Sequence, residues 1–131
     1  MKAKELVWVL ALAGVCTLGA GCAAVLVGGG VAAGAGTVAY LRGELRAVES
    51  APLDRVWEAS QAAMKDLQFA VTTKQKDALS ARLIARTALD KQVTINLAKQ
   101  GDKVTEIRIR VGFWGDESLS RLVLEKIKLR L

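Results

Sequence analysis

From residue 38 to the C-terminus, apolar and polar positions follow two rhythms. Over residues 38–48 they alternate singly, with Ala39, Leu41, Leu45 and Ala47 on one side and Tyr40, Arg42, Glu44 and Arg46 on the other, which predicts a half-buried strand. Ser50-Ala51-Pro52 breaks that rhythm, and proline is well suited to a helix's first turn. Leu53, Val56, Trp57, Ala63, Met64 and Leu67 then recur at helical spacing, while Asp54, Glu58, Gln61 and Lys65 fall outside the stripe. Ser60 interrupts it, but a serine hydroxyl can be satisfied on a carbonyl of the preceding turn. Trp57, mid-stripe, is assigned to the core.

Single alternation returns in four further segments: 69–74; 79–86 with Leu79, Ala81, Leu83 and Ala85 inward; 93–97 with Val93, Ile95 and Leu97 inward; and 105–111 with Ile107, Ile109 and Val111 inward. Lys76-Asp77, Leu89-Asp90 and Gln100-Gly101-Asp102 lie in links short enough for antiparallel hairpins. A last helix follows residues 112–115, with Asp116 as N-cap, Glu117 at the positive end, Lys126, Lys128 and Arg130 at the negative end, and Leu119, Leu122, Val123 and Ile127 as its stripe. The fold class expected is α+β: an antiparallel sheet in the order β-α-β-β-β-β-α, both helices on one face, preceded by an apolar N-terminal segment.

That segment has its own composition. No charged residue occurs from Leu6 to Tyr40, and both cysteines, Cys16 and Cys22, lie within this stretch, so the charged domain has no disulfide. Lys2 and Lys4, then an apolar run over residues 6–18, then Gly19-Ala20-Gly21 make the basic, apolar, small order of an export signal. T-L-G-A-G-C, ending on Cys22, resembles the lipobox of bacterial lipoproteins, with Gly19 where the family usually has leucine. The resemblance implies cleavage before Cys22, acylation of that cysteine and a membrane-anchored chain. Ala23, where many inner-membrane lipoproteins carry aspartate, implies the outer membrane, facing the periplasm, over the inner.

The boundaries expected are a signal peptide over residues 1–21, an Ala/Gly-rich segment over 22–37 and the α+β domain over 38–131. The middle segment has two readings: a flexible tether, or a glycine-zipper helix built on Ala24, Gly28, Ala32 and Gly36 at four-residue spacing. The uncharged run is also long enough for an uncleaved membrane helix, which needs about 20 residues.

Residues 52–59 (P-L-D-R-V-W-E-A), 65–72 (K-D-L-Q-F-A-V-T), 77–81 (D-A-L-S-A) and 115–120 (G-D-E-S-L-S) together resemble a bacterial lipoprotein family catalogued as a domain of unknown function. The element order resembles the helix-grip or TATA-binding-protein-like class, in which a curved sheet wraps a long helix. The helix followed by L-Q-F-A-V is similar, more faintly, to modules of lipoproteins that assist outer-membrane β-barrel assembly. None of these resemblances implies a catalytic residue or a cofactor.

The chain has no histidine, which removes the commonest general base and metal ligand, and no metal or other cofactor is expected. Asp54 and Glu58 share a helix face as paired catalytic carboxylates would, but solvated surface pairs look the same, and an enzyme is not expected. Charge is the stronger lead. The chain carries +6, or +5 once cleavage removes Lys2, Lys4 and Glu5. In the expected strand phases the sheet face away from the helices gathers Arg42, Arg46, Lys74, Arg82, Arg86, Arg108 and Arg110 against Glu44 and Glu106.

Such a face either docks an anionic surface, an acidic envelope polymer or an envelope protein, or is solvated. Export argues against nucleic acid. Phe113 and Trp114, between Gly112 and Gly115, are either a lid on the core, the commoner arrangement, or an exposed anchor for a partner. The function expected is a non-catalytic, lipid-anchored envelope module; the alternative is a carrier of a small apolar ligand between sheet and helix.

Overall fold

The computed structural model of the protein describes residues 36–131, and the expected signal peptide over residues 1–21, Cys16, Cys22 and the 22–35 part of the Ala/Gly segment lie outside them. The order is β1 (Val38–Leu41), β2 (Glu44–Glu49), α1 (Leu53–Asp66), β3 (Ala70–Lys76), β4 (Ser80–Arg86), β5 (Gln92–Gly101), β6 (Val104–Val111) and α2 (Glu117–Lys128). The α+β class holds. Six strands form one antiparallel sheet in the order β1-β2-β6-β5-β4-β3, so α1 carries the chain from the β2 side of the sheet to its far edge.

Register turns the sequence alternation into layers. Tyr40, Leu45, Ile109, Ile95 and Leu83 form one row across the inner face, and Val38, Ala47, Ile107, Leu97 and Ala81 form the next. Val56, Ala59, Ala63 and Met64 of α1 and Val123, Leu124 and Ile127 of α2 join these rows in one buried cluster. Burial of each large side chain stabilises the fold by about 1.5–3 kcal/mol, which makes this face the chief source of stability. The Ser60 hydroxyl donates to the Val56 carbonyl at 2.7 Å, and Asp116 accepts from the Leu119 amide at 3.0 Å as N-cap of α2.

Five expectations change. Residues 38–48 form a hairpin, because Arg42 and Gly43 both take positive φ (53° and 80°), as a two-residue turn between twisted strands requires. A two-residue turn pairs even positions with odd ones, so Val38 and Tyr40 face inward while Ala39 and Leu41 face outward, opposite Arg46 and Glu44. A bulge between Val71 and Thr73 inverts the phase of β3. Lys74 therefore stands opposite inward-facing Leu83, on the helix side, and leaves the basic face.

Leu79 is exposed, because the Asp77 carboxylate accepts from the Leu79 and Ser80 amides at 2.8 and 2.9 Å and holds residues 77–80 as a turn. Trp57 is half-buried at the margin of the core, and Leu122 faces outward while Leu124 takes a buried place on α2. One helix end also departs from the usual pattern. Gln68 has φ of 59°, where glycine is favoured, as the Phe69 amide closes α1 on the Met64 carbonyl at 2.9 Å.

Three outcomes are expected in urea unfolding. Ile109→Ala, at a fully buried site, costs about 2–5 kcal/mol, whereas Trp57→Ala costs less than the roughly 3–5 kcal/mol usual for a buried tryptophan. Equal losses would place Trp57 in the core. Gln68→Gly raises stability by up to about 1 kcal/mol by relieving the left-handed conformation; a loss would show that the side chain contributes more than the strain. Asp54, Asp66, Asp77 and Asp116 are all held below the usual carboxylate range, chiefly by the Lys76 ammonium, by the Arg130 guanidinium, by the Leu79 amide and by the Leu119 amide respectively. Their stabilisation is complete above the ordinary aspartate pKa near 3.8 and is lost as pH falls through the lowered values, so acid unfolding midpoints should rise in Asp77→Asn and Asp116→Asn.

Candidate functional site

The outer sheet face is less open to anions than its count of arginines suggests. Arg46 and Arg108 stand directly opposite each other across β2 and β6, an arrangement that repels unless carboxylates intervene. Glu44 lies 3.0 Å from Arg46 and Glu106 lies 2.7 Å from Arg108, so both arginines are already paired. Arg86 reaches Asp90 at 3.3 Å. Arg82 makes no ion pair among the described residues. Arg42 belongs to the β1–β2 turn, and Lys74 lies on the helix side.

Arg110 has a different task. Its guanidinium donates to the Arg42 carbonyl at 2.9 Å and to the Phe113 carbonyl at 3.5 Å, bridging the β1–β2 turn and the link between β6 and α2. The two loops touch through glycines. A Cβ on Gly115 would lie 2.5 Å from Gly43 Cα and 2.7 Å from the Tyr40 hydroxyl, and one on Gly43 would lie 2.7 Å from the Trp114 carbonyl oxygen. Both glycines also have positive φ, so each position excludes a side chain twice over.

The clasp presents two aromatic rings to solvent. Phe113 is 83 % exposed and Trp114 86 %, and their rings meet edge to face with centroids 4.9 Å apart. They are not a lid on the core. The backbone of this loop is thus braced by two glycines and an arginine while its largest side chains stay uncovered.

Two open clefts flank this element. One, of about 630 Å³, is lined by Arg86, Lys91, Arg110, Thr94 and Phe113 with Asp90. The other, of about 460 Å³, is apolar and lies among Phe69, Leu89, Leu119 and Leu122. They meet at Lys91, which sits 3.4 Å from Asp116. Leu89 is 83 % exposed in the β4–β5 link. Sequence reasoning placed Leu122 in the buried stripe of α2, named Leu89 only as part of a hairpin link and did not single out Lys91; an apolar residue beside Asp90-Lys91 in a turn was the available signal.

Asp54 is held by Lys76 at 2.7 Å, and the ammonium keeps its carboxyl below the usual range, the wrong direction for a general acid. Among the described residues, no group of three Asp, Glu, Cys or His side chains could hold a metal ion, and no helix is long and apolar enough to cross a membrane.

The clasp is testable by stability. Gly115→Ala should cost about 2–4 kcal/mol in urea unfolding, because it adds strain at positive φ and a collision with backbone. Arg110→Gln should cost about 1 kcal/mol for its lost hydrogen bonds, against no more than about 0.5 kcal/mol for Arg82→Gln. Equal small effects at all three positions would mean that the loops do not depend on each other.

Sequence comparison finds no match among curated proteins. A family profile described as a protein of unknown function (DUF3568) matches residues 5–130, nearly the whole sequence, and the chain belongs to that family.

Proposed function

We propose that the protein is a non-catalytic bacterial lipoprotein, anchored through acylated Cys22, which holds a helix-grip-like domain in the periplasm, most naturally at the outer membrane, and docks through Phe113 and Trp114. The observation that carries the docking role is the exposure of this aromatic pair on a loop that Gly43, Gly115 and Arg110 brace. Large aromatics in a pre-ordered loop are the side chains that most often dominate binding energy. The arginine face has a supporting part, since Arg46, Arg86 and Arg108 already have carboxylate partners.

Support for the anchor is in the chain itself: a basic start, an apolar run, small residues and then Cys22. A second reading, carriage of a small apolar ligand, has one observation in its favour, the cleft among Phe69, Leu89, Leu119 and Leu122. Its volume of about 460 Å³ exceeds the roughly 300 Å³ at which ligand pockets begin.

Mass spectrometry of the mature N-terminus tests the anchor. An acylated Cys22 is expected, abolished by Cys22→Ala and unaffected by Cys16→Ala; an unacylated chain beginning at Met1 rejects it. A photo-crosslinking residue in place of Trp114 tests docking in cells, with one in place of Lys103, at the β5–β6 turn, as control. Discrete adducts at position 114 alone are expected, and identical patterns at both positions would remove the aromatic pair from the interface. For the second reading, an environment-sensitive apolar dye should brighten with the protein and dim with Leu122→Glu; no brightening rejects carriage.

A further inference from the structure

The loops that carry the exposed aromatics share one end of the sheet with other apolar and basic side chains. Register shows this: Glu44, which follows the Arg42-Gly43 turn, pairs with Arg110 near the end of β6; the Gly112 amide bonds the Gln92 carbonyl at the start of β5; and Gln92 pairs with Arg86 at the end of β4. Leu41 at the end of β1, Leu89 in the β4–β5 link, and Phe113 and Trp114 in the link between β6 and α2, all exposed, therefore lie at this end of the sheet. Arg42 adjoins Leu41, and Arg86, Lys91 and Arg110 line one cleft with Phe113.

We infer that this end of the domain is a membrane-docking tip: Phe113, Trp114 and Leu89 enter the interface of an anionic phospholipid bilayer while Arg86 and Lys91, in the cleft beside Phe113, take up headgroup phosphate. The inference rests on the reading of the aromatic pair as the docking element, and names its partner. Three features favour a bilayer. The apolar side chains project from separate loop tips, where a tryptophan and a phenylalanine can sit at headgroup depth without deforming the sheet. Cations flank the apolar side chains, with Arg42 next to Leu41, Lys91 two residues from Leu89, and Arg86, Lys91 and Arg110 lining the cleft with Phe113, as the headgroup layer of a lipid surface demands.

The third feature is charge complementarity. The cleft of about 630 Å³ is lined by Arg86, Lys91 and Arg110 against the single carboxylate of Asp90. Arg86 and Lys91 hold their acidic partners at 3.3 and 3.4 Å, with side chains about half exposed, in pairs loose enough to exchange for phosphate oxygens. Arg110, by contrast, is engaged with two carbonyls and braces the backbone that carries the rings.

The test uses the full chain carrying Trp8→Phe and Trp57→Phe, which leaves Trp114 as the sole tryptophan, reconstituted into vesicles with bromine on the acyl chains. In vesicles rich in phosphatidylglycerol at low salt, Trp114 emission should shift to the blue and be quenched. Added salt or phosphatidylcholine vesicles should reduce the quenching. Arg86→Gln with Lys91→Gln should lower the ratio of inserted to free tip about 25-fold, since each cation near an anionic surface contributes a factor of about five. Arg82→Gln, on the sheet face, should leave the ratio unchanged, and circular dichroism should show every variant folded.

No quenching in either lipid, or equal quenching in both, overturns the inference. Absence of quenching together with discrete protein adducts at position 114 in cells would leave the docking role standing and assign it to a protein partner. Absence of both would remove the docking role as well.

Discussion

The pairing of β2 with β6 holds the molecule together. These strands are separated by more than fifty residues, and their six-residue register, Glu44 with Arg110 through Glu49 with Thr105, joins the N-terminal hairpin to the rest of the sheet. Without it β1 and β2 would be a lone hairpin, which is marginally stable in water. With it, Leu45 and Ala47 enter the same rows as Ile109 and Ile107 and are covered by the helices. The pairing also imposes a cost, since it sets Arg46 opposite Arg108, and Glu44 and Glu106 offset that cost from the same face.

The aromatic loop depends on the same register. Because Glu44 lies opposite Arg110, the Arg42-Gly43 turn arrives beside residues 112–115, close enough that only glycines fit at positions 43 and 115. The guanidinium of Arg110 then spans the gap. A local requirement of a two-residue turn, positive φ, and a long-range one, close approach of two backbones, thus fall on the same residue. The exposed rings are a product of this convergence, with their backbone held on both sides while their side chains find no cover.

A domain that spends its rigid contacts on displaying apolar rings invites aggregation unless something limits the display. Here the exposed side chains sit at loop tips among charges, Asp90, Lys91 and Asp116, and the sheet face beside them is a lattice of ion pairs. Charges placed so oppose association through the tips and confine the exposed apolar surface to a small patch. Charge count alone does not show this: of the seven basic residues assigned to the outer face, three have carboxylate partners, one is a structural brace, one lies in a turn, one was turned to the other side by a bulge, and Arg82 makes no ion pair among the described residues.

What could be read from the chain was whatever depends on near neighbours. Helical and alternating spacing placed both helices and the inward residues of β4, β5 and β6, since a side chain's face follows directly from its position within a regular element. Asp116 and Ser60 were legible for the same reason, each acting within one helical turn. Phase across an irregularity was not legible. The two-residue turn at Arg42-Gly43 and the bulge in β3 each shift the count by one, which moved Tyr40 inward and Lys74 off the basic face, and nothing in alternation alone signals such a shift. Nor could the sequence say whether Phe113 and Trp114 are covered. That was decided by the register of β2 on β6 and the glycine contact it creates, because exposure is a property of what the rest of the chain brings near, and here it brings backbone to backbone and leaves the rings outside.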